Sequence, residues 1–79
     1  MPRVLLEKGY EFFFYSNEGT EPMHIHVGKA GNVGKIWLEP KLRIQYMYGF
    51  SPAEKKEILE IADLNLEFFR SSWLEYFNK

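Results

Sequence analysis

The sequence contains no cysteine. No disulfide, thiolate zinc site or cysteine nucleophile can be built from it. Asp63 is its single aspartate and sits within a helical pattern, so a Ser-His-Asp arrangement has little to draw on. Phosphate loops, dinucleotide glycine motifs and the nucleophile elbow are also missing. The longest apolar run, Phe12–Tyr15, falls far short of the roughly 20 residues of a membrane helix. The opening MPRVLLEKG lacks the apolar stretch of a secretory signal, so a cytoplasmic protein with no membrane partner is expected. An excess of one charge is absent too: 10 Lys and Arg against 11 Asp and Glu leave −1. With no bulk positive field, nucleic acid is not an expected partner.

What is present is an unusual load of rings. Aromatics make up 18% of 79 residues, which lets a thin core bury much area per residue. The length supports a single domain over 1–79. All six glycines and three of the four prolines lie in 1–50, where the apolar runs are short and branched or aromatic. That part reads as strands and turns, and 51–79 as helix.

The expected strands are Val4–Leu6, Tyr10–Tyr15, Met23–Gly28, Gly34–Glu39 and Leu42–Tyr48. Lys8-Gly9 and Lys29–Asn32 carry turn chemistry, and Ser16–Pro22 is a loop. Alternation puts Ile36 and Leu38 on one face and Lys35, Trp37 and Glu39 on the other. It puts Leu42, Ile44, Tyr46 and Tyr48 together. Ser51-Pro52-Ala53-Glu54 has the form of a capping box with Pro at the first helical position. Ile58, Ile61, Ala62, Leu66, Phe69, Trp73 and Tyr76 then follow a 3.6-residue stripe. One helix over 52–77 would be about 39 Å long at 1.5 Å per residue, so a break near Asp63–Asn65 is expected. The fold class is therefore α+β: a small antiparallel sheet of four to five strands packed against a C-terminal helix or two helices.

His24-Ile25-His26 is the one constellation with a chemical look. On a strand, residues i and i+2 share a face, so two imidazoles can converge on a metal ion. Glu18, Glu21 or Glu39 would supply a third ligand. Against this stands the plainer reading that both rings bond to carbonyls or carboxylates and shape a polar sheet face. The loop residues Asn17, Glu18 and Glu21, with Trp37, form the candidate binding set; His24, His26 and Glu18 are the catalytic candidates.

Arg3, Gly9, FFFYSNEG at 12–19, Glu21-Pro22-Met23-His24-Ile25-His26-Val27, Ile36-Trp37-Leu38-Glu39-Pro40, Gly49-Phe50 and Trp73-Leu74-Glu75-Tyr76-Phe77 together resemble a small bacterial family, domain of unknown function 4160. The resemblance covers essentially the whole chain. Its hallmark positions fall on Asn17, Glu18, Pro22, His24, His26, Trp37 and Trp73. Met23 stands where the family usually has Pro, which leaves both histidines in place. The resemblance implies no established activity. It implies gene neighbourhoods with a second small gene, some grouped with toxin–antitoxin pairs.

The expectation drawn from these residues is a protein-binding module rather than an enzyme, with no cofactor. The alternative is a metal-assisted hydrolase or ribonuclease on the His24/His26 pair, with a divalent metal. The partner is a small protein from an adjacent gene or a second copy. Phe12 and Phe14 oppose Phe13 and Tyr15 on the second strand, and helix can bury only one set. The surplus, Phe13 or Phe14 with Trp37, would then centre a homodimer.

Overall fold

The computed structural model describes residues 3–16 and 18–77. Five strands come first: β1 (Arg3–Glu7), β2 (Tyr10–Phe13), β3 (His24–Lys29), β4 (Asn32–Trp37) and β5 (Arg43–Tyr48). They form one antiparallel meander in the order β1-β2-β3-β4-β5. Two helices follow, α1 (Pro52–Leu64) and α2 (Leu66–Phe77), which makes the fold α+β. No helix among the described residues is long and apolar enough to cross a membrane.

Two-residue turns set the register of the first and third hairpins. Lys8 and Gly9 have φ of 54° and 83°, and Ala30 and Gly31 have 51° and 83°. Two successive positive φ values match the right-handed twist of the flanking strands. The pairs Glu7↔Tyr10 and Lys29↔Asn32 close these hairpins. The β2–β3 connection is different: it is the long loop that carries Glu18 and Glu21. The strand expected over Tyr10–Tyr15 stops at Phe13, so Phe14 and Tyr15 belong to the start of that loop.

The helices cover one sheet face. Phe12, Ile25, Val27, Ile36, Ile58, Ala62 and Phe69 are fully buried between the layers. At α1 the capping box is complete: Ser51 Oγ accepts from the Glu54 N–H, and the Glu54 carboxylate accepts from the Ser51 N–H. The expected break falls at Asn65. Its side-chain amide donates to the Ile61 carbonyl at 2.8 Å, and the chain restarts as α2 one residue later. That side-chain bond competes with continued helix. Arg70 Nε donates to the Leu38 carbonyl and ties α2 to the chain just beyond β4.

Two further expectations are corrected. The register shifts between Lys35 and Ile36, where Lys35 pairs with Tyr46 but Ile36 pairs with Ile44. A bulge at Gln45 therefore puts Ile44 on the face of Ile36 and Tyr46 on the face of Lys35, so Leu42–Tyr48 does not alternate as one regular strand. Phe13 and Phe14 also do not form the exposed surplus that was expected. Phe14 is buried by Trp73, Tyr76 and Phe77 of α2. Phe13, on the face away from the helices, is only 5% exposed because it stacks on His26 and meets Tyr15 edge-on. Phe13 and Phe14 are thus buried within one chain rather than offered as an exposed pair.

Candidate metal centre

The register places His24 and His26 on the sheet face opposite Ile25 and Val27. Across the strands run two rows: Phe13, His26, Lys35 and Tyr46, and next to it His24, Trp37 and Arg43. Both imidazoles are buried, His24 at 0% and His26 at 3% exposure. Trp37, Trp73 and the ring of His26 surround His24 at centroid distances of 5.5, 4.9 and 5.1 Å. Tyr15 closes over His26 at 4.5 Å.

Glu18 comes down from the loop onto this pair. One of its oxygens, Oε1, lies 2.9 Å from His24 Nε2 and 2.7 Å from His26 Nε2. The three ligand atoms all lie within 4.8 Å of one another. His24 Nδ1 donates to the Pro22 carbonyl at 2.9 Å. A carbonyl only accepts, so this bond fixes a proton on Nδ1. Nε2 is then the His24 nitrogen left to face the carboxylate, and it shares Glu18 Oε1 with His26 Nε2.

The electrostatics follow. Burial is the largest influence on Glu18 and raises its pKa, but the hydrogen bonds from His24 and His26 and their charges outweigh it and hold the carboxyl below its ordinary value. Burial is also the largest influence on His26 and pulls it down. Glu18 opposes that pull only in part, while His24 and Lys35 add to it. Both shifts run towards the deprotonated forms, the direction that favours metal ligation.

Of the three candidate third ligands, the structure brings only Glu18 to the histidines. Glu21 instead accepts from Lys35 Nζ at 2.7 Å, and Glu39 accepts from the Met23 N–H at 2.9 Å. Asn17 lies outside the described residues. Trp37 is half-buried, donates through Nε1 to Gln45 and forms a wall of the site. With Pro22, Glu39, Pro40 and Arg43 it also lines an open depression of about 380 Å³. The Glu39–Pro40 bond there is cis.

Lys35 and Tyr46 are not legible as site residues in the sequence, and Pro22 is marked there only by the family resemblance. Lys35 is the cross-strand partner of His26, and its ammonium sits 4.6 Å from the centre of the Trp37 ring. Tyr46 comes next in the same row; burial is the main cause that raises its phenol's pKa, and Lys35 opposes it. The Pro22 carbonyl orients His24. The i, i+2 relation of Lys35 to Trp37 was the sequence signal for Lys35, and the bulge at Gln45 hid Tyr46.

Comparison with known proteins agrees with the family resemblance. No curated protein and no solved structure matches the chain. The family model for a domain of unknown function, DUF4160, matches residues 9–74, a span that holds Glu18, both histidines, Trp37 and Trp73, and the chain belongs to that family.

Proposed function

We propose that the chain is a metal-assisted hydrolase centred on Glu18, His24 and His26. The observation that supports this reading is the donor count at His24: Nδ1 is committed to Pro22, and Nε2 points at the same carboxylate oxygen that His26 faces. Metal-bound histidines characteristically give their other ring N–H to a carbonyl or carboxylate. Two imidazoles and one carboxylate suit zinc and related transition ions and leave coordination positions open. A divalent ion held there supplies Lewis acidity and makes bound water a better nucleophile near neutral pH. The chain's own part is to fix the ligands. Pro22 holds the tautomer, the aromatic walls lower the local dielectric, and Glu18, with 18% of its side chain exposed, marks the solvent side.

Titration of the chelator-treated protein with Zn²⁺, and with Co²⁺ as a spectroscopic probe, tests this. One equivalent bound by the wild type and lost in His24→Ala and Glu18→Gln is the expected result. A wild-type chain that takes up neither ion ends the proposal.

A second reading rests on a separate observation. Leu6, Val33 and Tyr48 fall in one register row on the uncovered face and are 56%, 41% and 64% exposed. They would serve a protein-binding module that pairs with a small partner, the product of an adjacent gene as in a toxin–antitoxin pair, or with a second copy. Co-purification with that gene's product, lost in Leu6→Glu, would support this reading. A one-chain mass with no such partner in the native cell would count against it.

A further inference from the structure

We infer that the site takes a substrate bearing a phosphoryl group, that Lys35 binds its charge, and that Glu21 holds the substrate's place until it arrives. This inference rests on the metal reading above and names the ligand class of the same site.

Lysine ammonium groups normally stay in water. The Lys35 side chain is only 12% exposed, although it lies on the sheet face that no helix covers. It is the direct cross-strand neighbour of His26, and its charge acts on both His26 and Tyr46. It leans over the indole of Trp37, which itself stands opposite His24. The ammonium is therefore held at the side of the three ligands by packing and cation–π attraction.

Its carboxylate partner comes from the same loop as Glu18. Glu18 meets the histidines and Glu21 meets Lys35, so the loop lays two carboxylates across two positive or cation-binding positions. Glu21 is the looser of the two, with 41% of its side chain exposed. The Glu21 end of this pair reaches water, so a stronger anion can take the carboxylate's place on Lys35. A cation beside a metal held by three protein ligands suits a tetrahedral phosphoryl group, which could present one oxygen to the metal and another to the ammonium.

The experiment compares the wild type, Lys35→Met and Glu21→Gln. Zn²⁺ alone is titrated first, then inorganic phosphate into each zinc-loaded protein, with acetate as the carboxylate control. Methionine keeps the contact with Trp37 and removes the charge. Zinc affinity should be similar in all three. Phosphate affinity should fall about tenfold or more in Lys35→Met, the loss of one charge-assisted bond, and should rise several-fold in Glu21→Gln. Equal phosphate affinity in the three zinc-loaded proteins overturns the inference and leaves the metal reading standing. Acetate bound as tightly as phosphate, and equally dependent on Lys35, makes it a carboxylate site and overturns it as well. No zinc uptake by the wild type removes both readings together.

Discussion

His24 donates through Nδ1 to the carbonyl of Pro22, two residues before it in the chain, at 2.9 Å. This short local bond decides the chemistry of the other ring nitrogen. With Nδ1 committed, Nε2 is the His24 nitrogen left to face Glu18 Oε1, the position a metal would share. Protons compete with a metal for these ligand atoms, so Zn²⁺ affinity should fall as pH drops. Titration of chelator-treated protein with Zn²⁺ at neutral and at mildly acidic pH checks this. Equal affinity at the two pH values would contradict it.

The same cluster sets an acid limit on the metal-free fold. Glu18 is held below its ordinary 4.5, and His26 is pulled below 6.5 mainly by burial. For both groups the unfolded chain binds protons more readily than the folded one, so stability rises with pH. This contribution is fully present above pH 6.5. It should fade as pH drops first through the His26 range and then below 4.5. The urea midpoint of chelator-treated protein should fall steadily from pH 7 to pH 4, and bound zinc should oppose the fall. A midpoint that stays flat over that interval contradicts the assignment.

The sheet, the helix start and the helix break were readable because each rests on local chemistry. Lys8-Gly9 and Ala30-Gly31 supply positive φ, Ser51 and Glu54 form a complete cap, and Asn65 interrupts a helix too long for the domain. The His pair was readable because strand alternation alone puts i and i+2 on one face. Which carboxylate meets it was not readable, because the loop's path depends on contacts distant in sequence: Glu18 to the histidines, Glu21 to Lys35 and Glu39 to Met23. The bulge at Gln45 was silent for a related reason, since a one-residue insertion leaves no compositional mark. The exposed aromatic set was misjudged because alternation identifies the opposite face but not what the loop folds back onto it. Tyr15 and His26 cover Phe13 there.

Ser51→Ala should destabilise the protein by about 1 kcal/mol, the usual cost of losing a helix N-cap. The Ser51 hydroxyl and the Glu54 carboxylate satisfy each other's backbone N–H groups, so Ser51→Ala leaves the Glu54 N–H to water. Urea unfolding should show a lower midpoint with an unchanged slope, because the exposed surface of the unfolded chain hardly changes. Glu54→Gln keeps the side chain's ability to accept and should cost less. If Ser51→Ala leaves the midpoint where it was, the box does not contribute to stability.

At the opposite end of the sheet from the histidines, Tyr10 sets an alkaline limit. Its phenol donates to Glu57 Oε1 at 2.8 Å, and its ring is fully buried beside Phe50. Burial first, then the bond to Glu57 and its charge, push the phenol up from 10.0 to about 12. The folded chain then keeps a proton that the unfolded chain gives up near pH 10, so this contribution is complete below pH 10 and is lost as pH rises towards 12. Absorbance of tyrosinate should show one of the five tyrosines titrating well after the others, and Tyr10→Phe should remove that last phase. The same variant should lose about 1 kcal/mol at pH 7 from the missing hydrogen bond and show a weaker fall in stability between pH 10 and 12. If the late phase persists in Tyr10→Phe, the high-titrating phenol belongs to another tyrosine and the Tyr10–Glu57 bond does not set the limit.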